Sequence, residues 1–181
     1  VPSDEAAAYV IGMALTQALA HAAPDVPPER YPELNEAYRE EYLAHHEDIT
    51  LFDGVLPMLA TLRAKHHWLT VATGKSRAGL NRVLQDPQFN GVFDGSRTAD
   101  ETAGKPSPKM LFELMREFAT EPSRTLMVGD TTHDLQMAAN AGCASVAVSY
   151  GAHQPDGFAV FQPLHIAHSV ADLQRWMAGN A

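Results

Sequence analysis

An α/β fold with a parallel sheet, preceded by an all-helical segment, is predicted for this chain of 181 residues. Two observations carry the prediction. Beyond Asp53, apolar runs of strand character at 68–72, 125–128 and 144–148 alternate with amphipathic helical patterns. Such βαβα alternation calls for a parallel sheet covered by helices. Residues 1–48, by contrast, carry only helical spacing.

Ser3 or Asp4 can cap a first helix whose apolar positions Val10, Ile11, Ala14, Leu15, Ala18 and Leu19 recur at helical intervals. The proline-rich stretch 24–32 breaks it. A second helix is expected from Pro32 to His45, with Leu34, Tyr38 and Tyr42 on one face and acids on the other. A third carries Val55, Leu56, Leu59 and Leu62, ahead of the buried-strand run 68–72. Helix 76–85, a short strand over 93–97 and helix 107–119 follow. Strand 125–128, helix 132–141, strand 144–148 and a terminal helix over 170–177 complete the alternation, and 151–163 reads as the longest loop.

The composition narrows the function. With 13 basic and 22 acidic residues the formal net charge is -9, which argues against a phosphate-backbone binder, so nucleic acid is not an expected partner. Cys143, the single cysteine, can form no internal disulfide, and no Cys/His cluster offers a zinc site. No apolar run reaches the roughly 20 residues of a membrane span, and no signal peptide is visible, so a reducing cytoplasm is the expected location. The nine histidines, including His45-His46 and His66-His67, lack ligand spacing and read as solvated.

In an open parallel sheet, ligands bind past the carboxyl ends of the strands. Three polar groups follow apolar runs or open a helix there. Thr73 offers a hydroxyl and Gly74 lets backbone amides approach an anion at a helix start, although Thr73 or Ser76 can equally be an ordinary helix cap. Lys105, stiffened between Gly104 and Pro106, can neutralise a phosphoryl group and a nearby carboxylate. Asp130 closes a strand and Asp134 lies one helical turn later, a pair that suits a hard cation such as Mg²⁺ or simply decorates a helix N-terminus. A nucleotide-binding P-loop ending at Gly74-Lys75-Ser76 is excluded, because its first glycine position is Leu69.

Taken in order, Thr73-Gly74-Lys75, Lys105-Pro106 and Gly129-Asp130-x-x-x-Asp134 resemble motifs two, three and four of the haloacid dehalogenase superfamily, most closely its phosphoglycolate phosphatase-like branch. The resemblance implies a Rossmann-like three-layer core over 51–181, with a partial helical cap over 1–50. It implies a Mg²⁺-dependent phosphatase acting on a small phosphorylated metabolite. In it Thr73 and Gly74 hold phosphoryl oxygens, Lys105 offsets charge, Asp130 binds the metal, and Asp134 orders a metal-bound water or holds Lys105.

In that family an aspartate of an Asp-x-Asp-Gly-Thr motif, at the end of the first and central strand, attacks phosphorus. This sequence has no such strand ahead of its helical segment. Leu51-Phe52-Asp53-Gly54-Val55 is a lookalike with Leu51 where the nucleophile belongs. The expectation is a natural protein with about 30 further residues upstream, one strand and its connection, and a chain that lacks the nucleophile and is inactive by itself. A noncatalytic binding protein on the same fold is the alternative.

Overall fold

The computed structural model describes residues 2–44 and 50–180, the side chain of Leu43 excepted. Ser3 caps α1 (Asp4–Tyr9), its hydroxyl accepting the Ala6 N–H at 3.2 Å. The apolar periodicity of the front segment does not continue as one helix. Gly12 adopts a φ of +90°, and the turn over 10–13 separates α1 from α2 (Leu15–Ala22). The reason is a close approach: a Cβ on Gly12 would lie 3.2 Å from Thr131 Oγ1, so the chain passes tightly over a later helix start. After the proline break α3 (Tyr31–Ala44) runs as expected. Its expected end at His45, the His45-His46 pair and the residues beside the division at 50 lie outside the described residues.

α4 (Val55–Ala64) starts after Gly54, at φ +87°, and leads into β1 (Thr70–Thr73). The strand begins later than its apolar run suggests. Trp68 is 63% exposed and packs its ring on Phe118 at 5.2 Å, outside any ladder. Alternation then proceeds through α5 (Arg77–Leu84), β2 (Gly95–Thr98), α6 (Lys109–Glu117), β3 (Leu126–Gly129), α7 (Thr132–Ala141) and β4 (Ala144–Val148). β5 (His165–Ala167), three residues too short to leave a periodic signal, was not expected; α8 (Val170–Asn180) closes the chain.

Every ladder is parallel, but the sheet is divided. β1 pairs with β2, Thr70 opposite Gly95. β4 lies between β3 and β5. Among the described residues no strand bonds β1 to β3, so β1–β2 and β3–β4–β5 are separate ladders. Burial follows the pairing. Val146 and Ala147 of two-sided β4 are 0% exposed, whereas Val128 of β3 is 36% exposed.

The two sheets share their helical layers. On one face Met110, Leu111 and Met115 of α6 and Met137 and Ala138 of α7 form a buried cluster that contacts both Ala72 of β1 and Met127 of β3. On the other, Met58 and Leu62 of α4 pack with Leu69, just before β1, and with Val146 and Val148 of β4. Each buried Met, Leu or Val side chain contributes about 1.5–3 kcal/mol. β1 and β3 are thereby held in one layer with their strand mouths on the same side. No helix among the described residues is long and apolar enough to cross a membrane.

Candidate active site

Thr73 is the last residue of β1, and its Oγ1 accepts the Lys75 N–H at 3.2 Å. The helix-capping role belongs to Ser76, which accepts the Gly79 N–H at 3.2 Å and opens α5. Gly74 is required sterically. A Cβ there would sit 2.4 Å from the Met13 carbonyl oxygen and 2.5 Å from that of Gly12. The α1–α2 turn therefore lies directly on the Thr73-Gly74 loop.

The Lys105 turn is clamped from two sides. A Cβ on Gly104 would meet Ala14 Cβ and Gln17 Oε1 of the α2 region at 2.9 Å each, and Asn140 Nδ2 of α7 donates to the Pro106 carbonyl at 2.9 Å. Lys105 is 7% exposed and its Nζ lies 2.5 Å from Asp134 Oδ1, a contact that is ionic and off the axis of a hydrogen bond. Asp134, 2% exposed, closes a capping box at the start of α7. Its Oδ2 accepts from the Thr131 N–H at 3.1 Å and the Thr131 hydroxyl at 2.7 Å, and Thr131 Oγ1 accepts the Asp134 N–H. A buried lysine and carboxylate tolerate desolvation only because each satisfies the other.

Asp130 differs from Asp134 although the two are one helical turn apart. Its Oδ2 accepts the Ala152 N–H at 2.9 Å and its carbonyl accepts the His153 N–H at 3.1 Å. Among the described residues no donor reaches Oδ1. Asp130 lines an open cavity of about 340 Å³ with the apolar side chains of Phe52, Val55, Met58 and Val128. Two glycines make room: a Cβ on Gly129 would lie 2.2 Å from Asp134 Cβ, and one on Gly151 would lie 2.3 Å from Asp130 Oδ2. No group of three or more His, Cys, Asp or Glu side chains among the described residues could hold a metal. Asp130 is thus a carboxylate with one oxygen left for a ligand.

Sequence reasoning missed the histidines here. His133 and His153, read as solvated, are 5% and 8% exposed. Their Nε2 atoms lie 2.7 and 3.1 Å from one acceptor, the Tyr9 carbonyl oxygen at the end of α1. His153 Nδ1 accepts the Thr132 N–H at 3.1 Å, which leaves the proton on Nε2. Burial lowers the His133 pKa, partly opposed by its bond to Tyr9. The position of His133 between Asp130 and Asp134 was the one available signal. Tyr42 was legible only as part of an apolar helix face. Its hydroxyl lies 2.6 Å from Lys75 Nζ, which also sits 4.3 Å from the ring centroid. Cys143 is buried against Met115, its thiol pKa raised by desolvation, as a core residue should be.

The family model for haloacid dehalogenase-like hydrolases matches residues 1–148. Among curated proteins, the chain is 34% identical over 137 residues to a probable phosphatase, IndB, of Dickeya dadantii, covering 75% of this chain and 59% of that protein. It is 30% identical over 148 residues to the pyrophosphatase PpaX of Halalkalibacterium halodurans, covering 81% and 69%. It is 31% identical over 169 residues to a phosphoglycolate phosphatase of Vibrio vulnificus, covering 91% and 72%. The chain thus spans about six to seven tenths of these relatives' lengths. Among solved structures, a hydrolase from Pseudomonas syringae superposes with a TM-score of 0.87 at 19% identity, over 99% of this chain and 84% of that one. A haloacid dehalogenase-like family protein from Streptococcus pneumoniae gives 0.82 at 20%, over 98% and 82%. By fold, by motif order and by sequence, the chain belongs to the haloacid dehalogenase-like hydrolase family.

Proposed function

We propose that this chain supplies the phosphate- and Mg²⁺-binding part of a phosphatase for a small phosphorylated metabolite, with 1–50 as its helical cap and 51–181 as its core. The observation that supports this most is the buried Lys105–Asp134 pair beside Asp130 at one sheet end. A structural scaffold has no need of a desolvated lysine at the carboxyl end of a parallel sheet. Asp130 would hold the cation through its free oxygen. Asp134, with both oxygens engaged, acts by fixing Lys105, and of the two roles implied for it this one fits better than metal ligation. Lys105 offsets charge on the phosphoryl group. Thr73 and the Gly74 amide would hold phosphoryl oxygens once the Gly12–Met13 turn moves aside. Mg²⁺, when bound, polarises a phosphoryl oxygen.

Two of the relatives, a pyrophosphatase and a phosphoglycolate phosphatase, are named for compounds that join a phosphoryl group to a second anionic group. A substrate of that kind is the reading for this chain. No Asp-x-Asp-Gly-Thr segment occurs in the sequence. Covalent attack through a phospho-aspartyl intermediate is therefore assigned to no residue of this chain, which by itself is expected to bind phosphate without turnover. Calorimetric titration with orthophosphate is expected to show binding that requires Mg²⁺ and disappears in Asp130→Ala. Binding of equal strength without the metal, or by the variant, would overturn the proposal.

A further inference from the structure

Lys75 stands apart from other basic residues near the sheet ends. Arg77 is paired with Glu101, Arg97 with Glu113 and Glu117, and Lys105 with Asp134. Lys75 is half-buried and has no carboxylate partner among the described residues, in a chain with 22 acids and 13 bases. Its recorded side-chain partner is the neutral Tyr42, through the hydroxyl at 2.6 Å and the ring at 4.3 Å. A half-buried ammonium left with a phenol keeps donors for an anion, since Lys carries three N–H groups.

Its position matters as much as its charge. Lys75 is two residues beyond Thr73, and its backbone N–H is bonded to the Thr73 hydroxyl, so the side chain springs from the loop that would hold phosphate. The side chain reaches α3, whose Asn35, Tyr38 and Tyr42 recur at i, i+3 and i+7 and so share one helix face. Tyr38 and Tyr42 stack with centroids 6.3 Å apart. The seam between core and N-terminal helices thus presents an ammonium beside the Tyr42 hydroxyl, on a side chain that springs from the phosphate loop.

We propose that Lys75, held by Tyr42, recognises a second anionic group on the phosphate compound bound at the site. This rests on the function proposed above and deepens it. The chemistry is shared by a carboxylate and a second phosphoryl group, and it excludes monoesters with an uncharged tail as preferred ligands. Tyr42 is a positioning residue: it aims the ammonium and is displaced from its hydrogen bond, or joins it, when the anion arrives.

The test is calorimetric titration of this chain, with Mg²⁺ present, using methyl phosphate, phosphoglycolate and pyrophosphate. Lys75→Met is expected to weaken phosphoglycolate, pyrophosphate or both by about ten- to a hundredfold, the worth of one charge-assisted bond, and to leave methyl phosphate within twofold. Loss confined to phosphoglycolate identifies a carboxylate; loss confined to pyrophosphate identifies a phosphoryl group. Lys75→Arg is expected to recover most of the loss and also controls for folding. Equal weakening of all three probes, or of none, overturns the inference while leaving phosphate binding in place. No binding of any probe by the unaltered chain overturns the proposed function as well, so the two failures are distinguishable.

Discussion

Lys105 and Asp134 form a pair that neither could keep alone, because each charge is almost wholly removed from water. Removing one partner of such a pair costs about 3–5 kcal/mol. Lys105→Met is therefore expected to lower the unfolding free energy by about that much in urea denaturation, since Asp134 is left buried and unpaired. Adding Asp134→Leu to it should cost far less than the sum of the single changes, and strict additivity would show that the ion pair is not coupled. One glycine also carries weight at this scale. Gly151 leaves room for the Asp130 carboxylate, which a Cβ would meet at 2.3 Å. Gly151→Ala is expected to cost about 1–3 kcal/mol of stability. It should also push Asp130 off its place, abolishing Mg²⁺-dependent orthophosphate binding. Unchanged metal dependence would show that Asp130 does not hold the cation.

Elements are joined by charged clamps as well as by the apolar layers. Arg77 at the start of α5 donates to Glu101 at 2.6 and 2.8 Å and to Ser96 Oγ of β2 at 2.9 Å, while its N–H donates to Asp100. The hydroxyl of buried Thr98 shares its single proton between Asp100 and Glu101. The hydrogen bond from Arg77, ahead of the opposing desolvation, holds the Glu101 pKa down to about 2 from 4.5. The sign follows directly. A carboxylate depressed on folding contributes stability that is complete above about pH 4.5 and is lost as the pH falls toward about 2. Thermal melts across that interval should show an acid limb that flattens in Glu101→Gln; an unchanged limb would place the acid sensitivity elsewhere. Because the Glu101 side chain is 38% exposed, solvent screening keeps the effect modest.

At the largest scale the dominant feature is the division of the sheet among the described residues. β1 and β3 each have one hydrogen-bonded neighbour, while β4 has two. Amide hydrogen exchange should accordingly be faster at Val71 and Val128 than at Val146, and equal protection would show that the two sheets are bridged in solution. Apart from β5 and the break between α1 and α2, the order of helices and strands was legible, because apolar runs of period two or continuous burial differ from helical spacing. α7 and β4 lie where the pattern placed them, over 132–141 and 144–148. The positions of Thr73 at a strand end, of Asp130 just past a strand, of Asp134 in the first turn of a helix and of Lys105 in the turn ahead of α6 were legible from local pattern. What the pattern could not reach were the contacts between distant segments. Gly12 breaks one periodic helix into α1 and α2 because Thr131 lies beneath it. His133 and His153 leave solvent for the carbonyl of Tyr9, more than 120 residues away in the chain. Asp130 and Asp134, alike in sequence, part company because Lys105 and Thr131 claim one and a cavity opens beside the other. The sequence by itself therefore determined most of the order of elements and which side chains follow the strands, both of which depend on local spacing, and its motifs carried the resemblance to the family. Tertiary structure alone decided which of those groups are paired, buried or free to meet a ligand, because desolvation and partnership are properties of packing between residues far apart in the chain.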